Sequence, residues 1–227
     1  METTLHRQLK EFYLAPGGEI EVRLGRFRID VVNGAQLIEI QHGGLAAIRD
    51  KCAKLAAKHD LLVVKPIVAR KHLVKYKRRG GKIVSRRRSP KRGALLDVFD
   101  ELVHFTRALQ LSRLTLEVPL VEIEELRYPG HGRRRWRRPG DHVVEDQQLV
   151  CVRETHRFDS PRDLLRLLPN DLPRQFHTGH LADGLNIPRW SAQRIAYVLR
   201  ETGAIKDAGK QGRARLYSIP GRRRKAA

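Results

Sequence analysis

Glu19–Gln41 reads EIEVRLGRFRIDVVNGAQLIEIQ, and its alternation sets the fold of the first part of the chain. Asn33-Gly34 is a strong signal for a two-residue hairpin turn, and Gly25-Arg26 suits the version with Gly first. With Val32 across from Ala35, Asp30 faces Leu37 and lies diagonal to Glu39. With Leu24 across from Phe27, Asp30 also faces Glu21. Side chains alternate with period two, so Ile20, Val22, Leu24, Phe27, Ile29, Val31, Ile38 and Ile40 form a core face. The opposite face carries Glu21, Asp30, Glu39 and Gln41. Opposed β-carbons lie roughly 5 Å apart and diagonal ones about 7–8 Å, close enough to converge on one cation. Like charges so placed require a counter-charge.

Two counter-charges fit. Arg23, Arg26 and Arg28 share this face, with Arg28 opposite Glu39 in this register, so an ion-paired, solvated surface is one reading. A divalent cation with oxygen ligands, such as magnesium, is the other.

Gly43-Gly44 follows, then an amphipathic helix with Leu45, Ile48, Cys52 and Leu55 on its apolar stripe. Leu61–Val68 reads as one buried strand, parallel to the strand bearing Glu39. A helix over Thr4–Tyr13 precedes the hairpins, with Leu5, Leu9 and Phe12 on one face and Pro16-Gly17-Gly18 as its stop. The predicted order is α-β-β-β-α-β.

With that order in place, the first 70 residues or so resemble the PD-(D/E)XK (restriction-endonuclease-like) nuclease superfamily, whose αβββαβ core carries an acid, a spacer and then acid-x-lysine. The resemblance rests on Asp30, eight intervening residues, and Glu39-Ile40-Gln41, with Glu21 or Glu11 as the upstream acid. It implies a metal-dependent phosphodiesterase. Asp30, Glu39 and the Ile40 carbonyl would hold Mg2+ (or Mn2+), and the catalytic set would be Glu21, Asp30, Glu39 and Gln41. Gln41 stands where the superfamily usually has lysine; it can position water but supplies no charge. Lys51, Lys54 and Lys65 are the substitutes in reach of the sequence argument.

Composition points independently to a polyanion. Forty-six Lys and Arg against 25 Asp and Glu give +21 on 227 residues and a pI near 10.9, the electrostatic footprint of a nucleic-acid binder. No run approaches a membrane span and the N-terminus has no secretory pattern, so no membrane partner and a cytoplasmic location are expected. Cys52 and Cys151 read as core residues.

Further on, Lys71–Tyr76 and Lys82–Ser85 suggest a hairpin across Gly80-Gly81, followed by a basic loop, Arg86–Arg92. A helix is expected from about Ala94 to Leu109 and a strand over Leu114–Ile123. Glu117, Glu122, Glu124 and Glu125 read as a solvated face. Arg133, Arg134, Arg135, Trp136, Arg137 and Arg138 lie between two Pro-Gly pairs, a loop with charge for phosphates and a ring for stacking.

The last 70 residues or so show three helices, over Phe158–Leu168, His177–Leu185 and Pro188–Thr202, with Trp190, Ile195, Val198 and Leu199 facing inward. A hairpin tipped by Gly209–Gly212 follows. This pattern resembles a winged helix-turn-helix, which implies duplex-DNA contacts from Arg189, Ser191, Gln193 and Arg194 on the third helix and Lys210, Gln211 and Arg213 on the wing. His177 and His180 read as helix-capping or surface residues. The expected organisation is an α/β nuclease-like domain over 1–157 (core 1–70, extension 71–157), a winged-helix domain over 158–220 and a basic tail, 221–227. Three functions are compatible with it: a DNA-binding endonuclease, a non-catalytic DNA-binding regulator or architectural protein on an inactive nuclease scaffold, and an RNA-directed protein.

Overall fold

The computed structural model describes residues 3–130 and 142–221. The fold is mixed α/β, and its element order begins α1 (Thr4–Tyr13), β1 (Glu19–Leu24), β2 (Phe27–Asn33), β3 (Gln36–Ile40), α2 (Arg49–Ala56) and β4 (Asp60–Val64). The predicted α-β-β-β-α-β order is therefore present. It continues with β5 (Ile67–Tyr76), β6 (Ile83–Arg88), α3 (Val98–Leu102), α4 (Thr106–Leu109), β7 (Leu114–Pro129) and β8 (His142–Phe158). The last elements are α5 (Thr178–Leu185), α6 (Arg189–Glu201), β9 (Lys206–Gln211) and β10 (Ala214–Ser218). Strand order in the main sheet is β1-β2-β3-β4-β7-β5-β6, with β8 also on β7. The chain clusters into two compact units. One comprises 1–42, 64–95 and 117–156; the other comprises 43–63, 96–116 and 157–227.

In the first unit, Thr3 caps α1 by accepting from the His6 N–H, and Leu5 and Leu9 are fully buried. Phe12, expected beside them, is 56% exposed; in the last turn Lys10 is buried instead. The first hairpin has the expected register, Leu24 across from Phe27, with Gly25 at φ 58°. The second differs. Asn33 pairs with Gln36 and Val31 with Ile38, so the loop residues are Gly34 and Ala35. Asn33 is drawn into the ladder because its side chain donates to the Tyr13 carbonyl (2.9 Å) and accepts from the Ala15 N–H (3.1 Å). Gly34 then supplies the positive φ, 58°, at the first loop position. Moving the turn by one residue shifts the register by two, so β2 and β3 keep their predicted alternation; Ile20 on β1, expected in the core, is 37% exposed, and Leu37, expected on the other face, is buried.

The strand expected over Leu61–Val68 is broken at Lys65-Pro66. Proline has no N–H for a ladder, and the chain leaves β4 to begin β5. In the sheet β7 runs between them. The Lys65 N–H donates to the Glu117 carbonyl (2.8 Å), and β5 pairs with β7 in parallel from Ile67–Leu120 to Lys75–Arg127. Arg86–Arg88, expected in a loop, belong to β6, which pairs antiparallel with β5. β8 had no counterpart in the sequence reading; its polar, largely exposed residues show no core alternation. Cys151 within it is exposed, whereas Cys52 is buried as expected.

In the second unit the helix expected over 94–109 is interrupted, appearing as a 3-10 turn, α3 and α4. The segment Pro161–Leu167 is 3-10, opened by a capping box between Ser160 and Asp163. His177 caps α5 as expected, accepting from the N–H groups of Gly179 and His180 while the two rings stack at 3.9 Å. On α6, Ile195, Val198 and Leu199 are buried, but Trp190 is 53% exposed rather than inward. The C-terminal hairpin turns at Gly212-Arg213, since Gln211 pairs with Ala214; Gly209 lies within β9. Phe176 adds a bridge to Tyr217.

Candidate functional site

The register of β2 and β3, continued one residue past Val31–Ile38, sets Asp30 directly across from Glu39. Both stand on the face opposite Ile29, Val31, Ile38 and Ile40, which are buried. On that continuation the predicted diagonal becomes a direct opposition. Asp30 is half-buried; its Oδ2 accepts from the Ile40 N–H (2.8 Å) and lies 3.4 Å from His6 Nε2. Glu39 is only 3% exposed. Arg28 is not opposite Glu39. It pairs with Arg23 across β1 and reaches the Glu21 carboxylate instead.

Glu21, the third expected acid, has other partners. Lys10 on α1, itself buried, donates to its Oε1 at 2.7 Å, and Arg28 binds the other oxygen. The Lys10 hydrogen bond, ahead of the Arg28 contacts, holds this carboxyl below its usual range. Its backbone is left-handed, φ 61°, inside β1, an uncommon conformation for a residue other than glycine. For Glu21, then, the arginine reading of the counter-charge is the one realised, with lysine added.

Gln41 follows directly. Its N–H donates to the Val64 carbonyl at 2.8 Å, which brings the end of β4 alongside and sets Lys65 next to it. Lys65 is 5% exposed and its Nζ donates to the His42 carbonyl at 3.1 Å. Of the three candidate substitutes for the missing lysine, Lys65 is the one in the compact unit of Asp30 and Glu39; Lys51 and Lys54 belong to the other. Burial lowers the His42 pKa, and the charges of Lys65, Lys71 and His6 lower it further.

The β7 acids, read from sequence as solvated, are tied down instead. Glu125 is 3% exposed and accepts from Lys71 (2.6 Å), Gln147 (2.9 Å) and Arg127. Burial would raise its pKa, but these donors prevail and bring it down to about 2. Glu122 bonds His72 (2.6 Å) and Arg153 (3.1 Å), Glu124 pairs with Arg86, and Glu117 accepts from the Tyr13 hydroxyl (2.6 Å). Burial and the Glu117 contact push the Tyr13 phenol upward. None of this was visible in sequence, because the partners come from α1 (Tyr13), β5 (Lys71, His72), β6 (Arg86) and β8 (Gln147, Arg153), brought to β7 by the fold.

Among the described residues no group of three or more His, Cys, Asp and Glu side chains stands at metal-binding spacing. The available donor set is Asp30, Glu39 and a backbone carbonyl, Ile40 being the expected one. Magnesium is commonly held by one or two carboxylates and otherwise by water, and Asp30 and Glu39 are the two carboxylates that the expected site would offer it.

The expected DNA contacts divide into three groups. Arg133, Arg134, Arg135, Trp136, Arg137 and Arg138 lie outside the described residues, as does the tail beyond Gly221. On α6, Arg189 and Gln193 are exposed and Ser191 is half-buried. Arg194 is engaged: its Nη1 bonds Asp100 Oδ1 on α3 at 2.7 Å, and its guanidinium lies over the Trp190 ring at 4.7 Å. On the hairpin, Lys210, Gln211 and Arg213 are all exposed, with Arg213 at the turn.

Residues 3–159 match the family described as Domain of unknown function (DUF8091). The chain belongs to this family. The matched segment contains Asp30, Glu39, Gln41 and Lys65, and ends where the C-terminal helices begin. An "Uncharacterized protein" of Treponema pallidum (strain Nichols) is 29% identical over 219 residues, which cover 95% of this chain and 84% of that protein. No solved structure matches the chain. No helix among the described residues is long and apolar enough to cross a membrane.

Proposed function

We propose that this member of the DUF8091 family is a DNA-binding, magnesium-dependent phosphodiesterase, with a restriction-endonuclease-like αβββαβ core and a C-terminal winged helix. The observation that carries the reading is the opposition of Asp30 and Glu39 on one sheet face, with buried Lys65 adjoining Gln41. Lysine is the one element of the superfamily pattern that the linear motif lacks, and Lys65, just after β4, is the candidate that this reading puts in its place.

In this account Asp30 and Glu39 hold the cation, with the Ile40 carbonyl as the third protein donor. A bound magnesium ion would polarise the phosphodiester and make hydroxide available near neutral pH. Gln41 orients the attacking water by hydrogen bonding. Lys65 keeps a positive charge at the edge of the site, where negative charge develops on the phosphate oxygens; in a water-poor setting such a charge acts more strongly than in bulk. Glu21 is a positioning residue, fixing β1 through Lys10 and Arg28. Exposed Arg189, Gln193, Lys210 and Arg213 on the helical unit, with the high net charge, supply affinity for duplex DNA.

The test is nicking of supercoiled DNA in Mg2+. Wild-type nicking that disappears in Asp30→Asn and Glu39→Gln, with DNA binding retained, is the expected result. A second reading, DNA binding on a catalytically inactive scaffold, is favoured by one observation: Asp30 is already engaged by the Ile40 N–H and lies beside His6. Wild-type DNA binding with no cleavage in Mg2+ or Mn2+ would select it.

A further inference from the structure

On α6, Trp190, Arg194 and Tyr197 stand at positions i, i+4 and i+7, which is one stripe of a helix. All three are exposed, the two rings by 53% and 41%, whereas Ala192, Ala196 and Leu199 on the opposite side of the helix are buried. An arginine lies against each ring. The Arg194 guanidinium is 4.7 Å from the Trp190 centroid, and that of Arg200 is 5.8 Å from the Tyr197 centroid.

Two cavities open beside this stripe, both within the second compact unit. The smaller, about 310 Å³, is lined by Val103, Trp190, Gln193, Arg194 and Tyr197. The larger, about 580 Å³, also touches Val103 and Tyr197 and reaches Arg107 on α4 and Arg49 and Asp50 on α2. The shared residues make them one trough. Arg49 is ion-paired with Asp50 and Arg194 with Asp100. Arg107 is exposed and has no carboxylate partner among the described residues.

Single exposed apolar side chains are ordinary on a protein surface. Two aromatic rings on one stripe, each beside an arginine and both lining a basic trough, are not scattered singly. Small-molecule sites commonly bury most of their ligand; here Arg49, Arg107, Trp190, Arg194 and Tyr197 are all exposed, so the trough suits a polymer lying across it. Unpaired nucleic acid fits, because its bases stack on aromatic faces while cations follow its backbone. A duplex keeps its base faces inside the stack. With a helical rise of about 1.5 Å per residue, the two rings are about 10 Å apart along α6 and receive separate bases.

We propose that the trough between α6 and the α3–α4 segment binds single-stranded DNA, with bases stacked on Trp190 and Tyr197 and phosphates met by Arg107 and Arg49. Gln193 is the one lining residue shared with the duplex contacts proposed above; Arg189, Lys210 and Arg213 lie outside it. This inference rests on the nucleic-acid part of that reading, not on cleavage.

The experiment measures affinity of the full chain for labelled oligothymidylate and for a random-sequence duplex, by anisotropy and without divalent metal. It compares wild type with Trp190→Ala, Tyr197→Ala, Trp190→Phe and Arg107→Gln, with circular dichroism as the check on folding. Each alanine variant is expected to bind oligothymidylate roughly tenfold more weakly or worse, with duplex affinity unchanged, and Trp190→Phe to recover most of the loss. Arg107→Gln is expected to flatten the log–log salt slope for the single strand by about 0.7. In a Trp136→Phe background Trp190 is the sole tryptophan, and oligothymidylate is expected to quench its fluorescence. Single-strand affinity unchanged in both alanine variants overturns this inference alone, as does an equal loss for duplex or an absence of quenching. So does a wild-type chain that binds duplex but no single strand, or thymidine monophosphate competing as well as the oligomer. Tighter binding of oligouridylate than of oligothymidylate overturns the assignment to DNA. A wild-type chain that binds neither single strand nor duplex overturns the nucleic-acid reading as well.

Discussion

Continuing the β2–β3 register one residue past Val31–Ile38 brings Asp30, half-buried, across from Glu39, almost fully enclosed. Two carboxylates so placed act as a unit if they share a cation. Asp30→Asn and Glu39→Gln are each expected to reduce nicking by roughly a hundredfold or more, and the double variant to lose little beyond either single one. Single-turnover rates on supercoiled DNA provide the check; additive losses would mean the residues act separately.

Lys65 is both the proposed site charge and one of the charges acting on His42. Lys65→Met is expected to move the His42 titration upward, toward the ordinary histidine range, while lowering the nicking rate more than DNA affinity. The direction follows from its cause: a neighbouring cation disfavours imidazolium. Because the folded-state pKa is lowered, the unfolded chain takes up the proton first. Stability tied to neutral His42 is thus complete above about 6.5 and declines as pH falls through that value. Proton NMR of the His42 ring in both proteins tests the coupling.

Glu125 offers a stability test removed from the proposed chemistry. With its folded pKa at about 2 against an ordinary 4.5, its contribution is fully present above 4.5 and is lost as pH falls toward 2. Glu125→Gln is expected to unfold at lower urea concentration near neutral pH, by about 2 kcal/mol for charge-assisted bonds to Lys71 and Arg127. The gap to wild type should close as the pH is lowered through this window. A gap independent of pH would assign the loss to packing.

Arg194 is tied to Asp100 through an exposed ion pair, 47% and 44% accessible. Such pairs contribute about 0–1 kcal/mol, so releasing one is inexpensive. Asp100→Asn is expected to raise DNA affinity two- to fivefold by freeing Arg194 and removing a nearby negative charge. Asp100→Asn combined with Arg194→Gln should show no such gain. Anisotropy titrations on one duplex distinguish the two.

What could be read from sequence follows physical range. The acid face was legible because alternation is local and the turn at Gly34 moved the register by two residues, not one. The C-terminal α-helices were legible through the spacing of Ile195, Val198 and Leu199, whereas the segment expected as a helix over Phe158–Leu168 is 3-10. Trp190 was misassigned because a helix stripe alone does not reveal which edge of it is covered. Lys65 was a candidate without a location. Pro66 was the signal that its strand must end there, but only the placement of β7 between β4 and β5 shows what that ending accomplishes. The partners of Glu122, Glu124 and Glu125 on β5 and β6 depend on the same insertion, more than 30 residues away in the chain for Arg86–Glu124, and the Glu117 partner, Tyr13, comes from α1. No local pattern encodes it.

The central claim is that Asp30 and Glu39 form one magnesium site. Calorimetric titration of Mg2+ into the intact chain, repeated with Asp30→Asn and Glu39→Gln, tests it most directly. The account predicts one binding event in wild type and none in either variant, with far-ultraviolet circular dichroism unchanged. Equal Mg2+ binding in all three proteins, or none in correctly folded wild type, would contradict it.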